Sequence, residues 1–254
     1  MTTAAPTILI DPLSTQSLLV ETMANGHSLM TATGFVVEQS GKFLLVTNWH
    51  VVAGRDPVTN QPTHPSAAIP DSIRIVHHVK GNLGSWRVIA ESLYNEDGTP
   101  RWIEHAQGQL IDVIALPLDS LLAEIEIYPF NLGLADADLV PQPAMSVSIV
   151  GFPFGLSAGG VWPIWKTGHI ATDPDIDFDG RPSFLIDATT RSGMSGSPVI
   201  VRSSGGHKTR SGVYVLAGGI TTKFLGVYSG RIRDEAELGR VWRPHVLNEI
   251  LSGT

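Results

Sequence analysis

Arg191-Ser192-Gly193-Met194-Ser195-Gly196-Ser197-Pro198 sets one serine between glycines and runs straight into Val199-Ile200-Val201, a short β-branched stretch that reads as a strand. A serine hydroxyl is a weak nucleophile. It needs a base to take its proton and donors to hold a developing oxyanion. Gly193 and Gly196 permit a tight turn there, which would aim the N–H groups of Gly193 and Ser195 at one point. Alone, the string reads equally well as a Gly/Ser turn between strands. It does not fit the G-x-S-x-G elbow of a strand–turn–helix esterase, because position 197 is serine and a strand follows.

A base is found by context among nine histidines. His50 ends the run Phe43-Leu44-Leu45-Val46-Thr47-Asn48-Trp49 and precedes Val51-Val52-Ala53-Gly54, so a buried strand can aim its ring into a cleft. His77 and His78 are adjacent on a strand and face opposite ways. No H-x-x-x-H spacing and no cysteine is present, so no metal site is expected. A base histidine must be held in one tautomer by a buried acceptor. Asp112, in Leu110-Ile111-Asp112-Val113-Ile114-Ala115-Leu116, is a lone carboxylate in an apolar stretch, and burying it unpaired would be costly.

Further out, most apolar runs are short and separated by turn residues, drawn from 26 glycines and 17 prolines. Strands are expected over 31–37, 42–47, 72–79, 85–89, 109–116, 146–150, 161–169, 183–187, 198–201 and 224–228. Between Glu235 and Leu251 apolar residues recur at helix-like intervals, interrupted by Pro244, which predicts a kinked terminal helix. The 254 residues therefore divide into an N-terminal extension over 1–30, a first β-barrel over 31–125, a linker over 126–143, a second β-barrel over 144–234 and a C-terminal helix over 235–254.

Composition narrows the partners. Hydrophobic residues make up 43% and charged residues 16%, enough apolar material for a core. The net charge of −7, with no Lys/Arg-rich run, argues against nucleic acid. The absence of cysteine excludes a disulfide-stapled secreted enzyme. Met1 to Val20 lacks a basic leader, and no apolar run is long enough to cross a bilayer, so a cytoplasmic protein with no membrane partner is expected.

The order His50, Asp112, Ser195 and the strings Thr47-Asn48-Trp49-His50-Val51-Val52, Asp112-Val113-Ile114-Ala115-Leu116 and Gly193-Met194-Ser195-Gly196-Ser197-Pro198 resemble the chymotrypsin-fold, trypsin-like serine peptidases. Together with Gly151-Phe152-Pro153-Phe154-Gly155-Leu156 they look like the bacterial branch that includes HtrA-type protease domains, here without a following PDZ-like domain. The resemblance spans about 34–251. It implies an all-β fold of two six-stranded antiparallel barrels with a C-terminal α-helix, and a site in the cleft between the barrels. It implies a serine endopeptidase that acts on proteins or peptides without a cofactor. His50, Asp112 and Ser195 would be the triad, and the N–H groups of Gly193 and Ser195 the oxyanion hole. Gly226-Val227-Tyr228-Ser229-Gly230 resembles the strand that pairs with substrate backbone. Ser229 is then either the serine that supports the catalytic aspartate or a plain turn serine.

The chain departs from the family at several points. Met194 replaces the aspartate that in digestive relatives pairs with a cut N-terminus, so activation by N-terminal cleavage is not expected. Arg231 stands where a small residue is frequent; it could attract acidic substrates, but covering the rim is the preferred reading. Thr189, Thr190, Tyr228, Ser229 and Gly230 are the expected substrate-binding residues. Thr189 removes the usual basis for Lys/Arg preference, leaving a small or medium apolar residue as the expectation. Asp173-Pro174-Asp175-Ile176-Asp177-Phe178-Asp179-Gly180 resembles the start of a calcium loop, but Ile186 stands where its final glutamate is required, so an acidic turn is the better reading. Two other readings remain: a catalytically silent or latent protease fold that binds peptides, and an esterase on a helix-rich fold; a regulatory protein partner or assembly is compatible with either protease reading.

Overall fold

Asn25-Gly26 is the kind of dipeptide that closes a tight hairpin. Both residues take positive φ, 50° and 79°, as a two-residue turn between twisted strands requires. The computed structural model describes residues 9–120, 122–216, 218–233 and 236–253. After a short helix α1 (Pro12–Gln16), the N-terminal half consists of strands β1 (Ser17–Ala24), β2 (His27–Gln39), β3 (Lys42–Thr47), β4 (Ser72–Val79), β5 (Asn82–Ser92), β6 (Ile103–Glu104), β7 (Ile114–Pro117) and β8 (Ile125–Glu126), with helix α2 (Trp49–Ala53) after β3. The C-terminal half consists of β9 (Ser146–Gly151), β10 (Ile164–Ile170), β11 (Ser183–Asp187), β12 (Pro198–Ser204), β13 (His207–Lys208), β14 (Tyr214–Val215), β15 (Ile220–Arg231) and β16 (Leu238–Trp242), followed by helix α3 (Pro244–Ser252).

The second half is a closed six-stranded barrel in the order β10-β11-β16-β15-β12-β9. The first half is not the closed six-stranded barrel that was expected. It is an eight-stranded sheet running β5-β4-β1-β2-β3-β7-β6, with β8 on β4. Its two edges meet through Arg101 N, which donates to Leu93 O at 3.0 Å, without a ladder. Pro100, beside that contact, has no N–H to extend one.

Two boundaries differ from the sequence reading. β1 lies inside 1–30, where an extension was expected, and pairs with both β2 and β4. The 126–143 linker contributes Phe130 and Leu139 to the buried interior. The terminal helix does not begin at 235. Leu238–Trp242 is strand β16, paired with β11 and β15, and Pro244 opens α3 in its first turn instead of kinking it. A proline lacks only an N–H that the first turn leaves unused, so the residue that breaks a helix interior starts this one well.

One apolar cluster joins the halves. Phe35 of β2, Phe130, and Phe224 of β15 stack with ring centroids 4.8 to 6.0 Å apart. Val246, Leu247, Ile250 and Leu251 of α3 close over the same cluster. Phe224→Ala should cost about 3–5 kcal/mol, the usual range for emptying a buried aromatic site. Urea denaturation followed by tryptophan fluorescence checks this. A loss below about 1 kcal/mol would mean that this cluster is not what holds the halves together.

Candidate active site

Asp112 sits in the loop just before β7 and not within a strand, with only 2% of its surface exposed. A buried carboxylate can only accept hydrogen bonds, so donors must come to it. Three do. Oδ1 accepts from the backbone N–H of His50 at 2.8 Å. Oδ2 accepts from His50 Nδ1 at 2.7 Å and from Ser229 Oγ at 2.5 Å. Asn48 Nδ2 also donates to the Asp112 main-chain carbonyl at 2.6 Å.

His50 is carried by α2 and not by the end of β3. The short helix has no side-chain cap from Asn48. The Asp112 carboxylate instead takes the His50 N–H in its first turn, where helices leave N–H groups unpaired. Because Asp112 only accepts, Nδ1 of the neutral ring must carry the proton and Nε2 is left as the acceptor. Ser195 Oγ lies 3.0 Å from that Nε2. Burial works against protonation of the ring. The charge of Asp112 and its hydrogen bond outweigh burial and hold the His50 pKa above its ordinary value.

Backbone positions Ser195. Gly196 N donates to Tyr228 O at 2.9 Å, Tyr228 N to Ser197 O at 2.9 Å, and Thr33 N to Ser195 O at 2.9 Å. Met194 packs fully buried in the interior of the second barrel. Gly193 has φ of 93°, and a Cβ there would run into the carbonyl of Phe152. Phe154 N donates to Ser192 O at 2.6 Å. In a trans peptide C=O and N–H point oppositely, so fixing Ser192 O towards Phe154 turns the Gly193 N–H the other way. Among the described residues, neither Gly193 N nor Ser195 N donates to a protein acceptor.

The remaining substrate-binding candidates divide. Ser229 falls at a register shift between β15 and β16, and this bulge aims its hydroxyl at Asp112; the plain turn reading of Ser229 is thereby set aside. Thr190 is buried, and its hydroxyl hydrogen-bonds the Tyr228 hydroxyl. Tyr228 is buried against Gly239. Burial raises the Tyr228 pKa to about 12 against the opposing effect of Thr190. Thr189 is exposed. Ser229 and Gly230 line a cavity of about 610 Å³ together with His50, Asp112 and Ser195. Thr189, Thr190 and Tyr228 do not line it.

Two of the four aspartates in the acidic stretch 173–180 form ion pairs. Asp177 contacts Arg243 at 2.5 Å and Asp179 contacts Arg240 at 3.2 Å. Among the described residues no group of three or more metal-ligating side chains converges, and no helix is long and apolar enough to cross a membrane.

Three residues that the sequence reading passed over shape the site: Thr33, Asn48 and Phe154. Thr33 Oγ1 donates to Gly193 O at 2.8 Å, accepts from Phe152 N at 3.1 Å, and is fully buried. A threonine facing inward in the apolar run Ala32–Val37 is the available signal, since a buried hydroxyl implies partners.

Ser229→Ala should destabilise by about 1–3 kcal/mol, because it strips a donor from a buried carboxylate. The His50 pKa should rise further, since Asp112 then interacts more strongly with the ring. Histidine NMR titration and denaturant unfolding read the two effects, and an unchanged His50 titration would mean that Ser229 does not act through Asp112.

No curated protein matches this sequence. The active form of the Rv3671c protease from M. tuberculosis is 19% identical, with a TM-score of 0.50 over 94% of this chain and 81% of that one. The thermostable serine protease AL20 from an extremophilic microorganism is 11% identical, with a TM-score of 0.54 over 96% and 98%. The protease Anisep from Arthrobacter nicotinovorans is 12% identical, with a TM-score of 0.53 over 94% and 96%. At such identities the likeness is one of fold. A family model described as a trypsin-like peptidase domain matches residues 32–206, well over half of the chain, and the chain therefore belongs to the trypsin-like peptidase domain family.

Proposed function

We propose that this chain is a serine endopeptidase with His50, Asp112 and Ser195 as its catalytic triad. The observation that carries the reading is the unbroken line of contacts from Asp112 Oδ2 through His50 Nδ1 and Nε2 to Ser195 Oγ, at 2.7 and 3.0 Å. His50 Nε2 takes the hydroxyl proton as Ser195 Oγ attacks a peptide carbonyl carbon. The Asp112 charge stabilises the imidazolium that forms. The N–H groups of Gly193 and Ser195 hold the carbonyl oxygen as it becomes an oxyanion. His50 then protonates the departing amine, leaving an acyl group on Ser195. Water, deprotonated by the same ring, releases it. Each step uses only side chains and backbone of this chain.

The residue before the scissile bond is small or medium and apolar in this reading. Thr189 supports it, since its uncharged side chain offers no carboxylate to a Lys or Arg of the substrate.

A fluorophosphonate probe should label purified protein stoichiometrically at Ser195, read by intact mass, and both Ser195→Ala and His50→Ala should abolish labelling. Folded wild-type protein that stays unlabelled would be a binding module on a protease fold. The labelling rate should also depend on pH in a defined direction. The reactive ring is neutral, and its pKa is raised, so the rate should climb with pH through a midpoint above about 6.5. Asp112→Asn removes the two raising causes that Asp112 supplies, leaving only the charge of Asp56. The midpoint should then move down while the plateau rate falls by about 10⁴. An upward shift would refute the assigned role of Asp112.

A further inference from the structure

In a chain of net charge −7 a concentration of cations is locally conspicuous. Arg181, Arg231, Arg233 and Arg240, four of the 17 basic residues, line the cavity of about 610 Å³ that opens beside His50 and Ser195. Three carboxylates line it too, and each has donors of its own. Asp112 is held by His50 and Ser229. Asp179 is paired with Arg240 at 3.2 Å. Asp56 folds into its own turn, where Oδ1 accepts from Val58 N, Thr59 N and Thr59 Oγ1 at 2.6 to 2.9 Å.

The guanidinium groups are less evenly matched. Arg240 is wedged against the rings of Phe178 and Trp242, with centroids 5.1 and 5.4 Å from its carbon, and donates to Ser183 Oγ at 3.1 Å. Its burial, followed by the like charge of Arg181, disfavours its protonated form. Among the described residues no carboxylate pairs with Arg181 or Arg233. Crowded guanidinium groups in a partly enclosed space form a site for an anion, and a guanidinium recognises a carboxylate through paired N–H donors.

The position of the cavity says where on a peptide that carboxylate would sit. The lining includes the Ser229–Arg233 segment but neither Gly193 nor the Phe152–Leu156 loop on the oxyanion side. A peptide acylating Ser195, with its carbonyl oxygen at Gly193 and its backbone along Ser229–Gly230, runs its preceding residues over this cavity. Resting on the peptidase reading above, we propose that the cavity selects peptides with an aspartate or glutamate on the N-terminal side of the scissile bond, Arg181 and Arg233 being the residues that recognise the carboxylate.

The test is a random peptide library digested by wild-type protein, with cut sites mapped by mass spectrometry. Matched Glu and Gln peptides built on the best site are then compared by kcat/KM. The Glu peptide should be preferred roughly fivefold at low salt, about what one partly screened ion pair contributes. The ratio should fall towards one in Arg181→Gln/Arg233→Gln, and in wild type near 1 M salt, where screening shortens to about 3 Å. Ser195→Ala protein exposed to the same library should retain acidic peptides over neutral ones, a readout that does not need turnover. Retention of acidic peptides without cleavage would sink the peptidase reading and keep the recognition site. Cleavage or retention indifferent to Glu against Gln, or a Glu preference that survives the double substitution, would overturn the proposal.

Discussion

The Asp112 carboxylate is the contact on which both fold and site turn. A buried charge of this kind persists only where donors converge on it. Its donors come from opposite sides of the molecule: the His50 backbone and ring from α2 in the first half, and the Ser229 hydroxyl from β15 in the second. Satisfying the charge therefore aligns the halves, and the same alignment sets the tautomer of His50. A shift between the halves that spoiled the ring geometry would also leave the carboxylate short of a partner. The cost of misalignment is thus felt as lost stability, not only as lost chemistry.

Thr33 makes a second, independent tie. It lies on β2, yet its N–H, carbonyl and hydroxyl meet Ser195 O, Thr47 Oγ1, Gly193 O and Phe152 N. It holds the carbonyl of Gly193, while Phe154 holds that of Ser192. With the carbonyls on both sides of the Gly193 N–H fixed, its direction is constrained from two elements. Phe154 itself takes φ of 56°, unusual for a bulky residue. Strain there is consistent with a loop shaped to place one N–H, since such backbone persists only when its surroundings over-determine it.

What was legible in the sequence follows from the range of the physics. β3, β4 and β11 fall at the boundaries that apolar patterning indicates, because period two is a local property of the chain. His50, Asp112 and Ser195 were legible because lone polar residues in apolar or glycine-rich strings are locally anomalous. Leu238–Trp242 was misread because five residues with Leu, Val and Trp satisfy a strand and a helix period alike, and only pairing with β11 and β15 decides between them. Thr33 was invisible as a site residue because its partner Gly193 lies 160 positions away. That the first half is an eight-stranded sheet without a closing ladder was likewise beyond local patterning, which says nothing about whether two edges will pair.

In the proposed peptidase, selectivity is built unevenly around Ser195. Burial carries the Tyr228 pKa up to about 12, and its hydroxyl is hydrogen-bonded to Thr190 within the second barrel. A filled apolar wall discriminates by size and shows little response to salt. The neighbouring cavity is lined by charged side chains, and discrimination by long-range charge is weakened as ions are added. Two neighbouring surfaces therefore answer to different physics. In the proposed peptidase, size would be judged by packing and charge by the arginines, and a change in ionic strength would retune the second without touching the first.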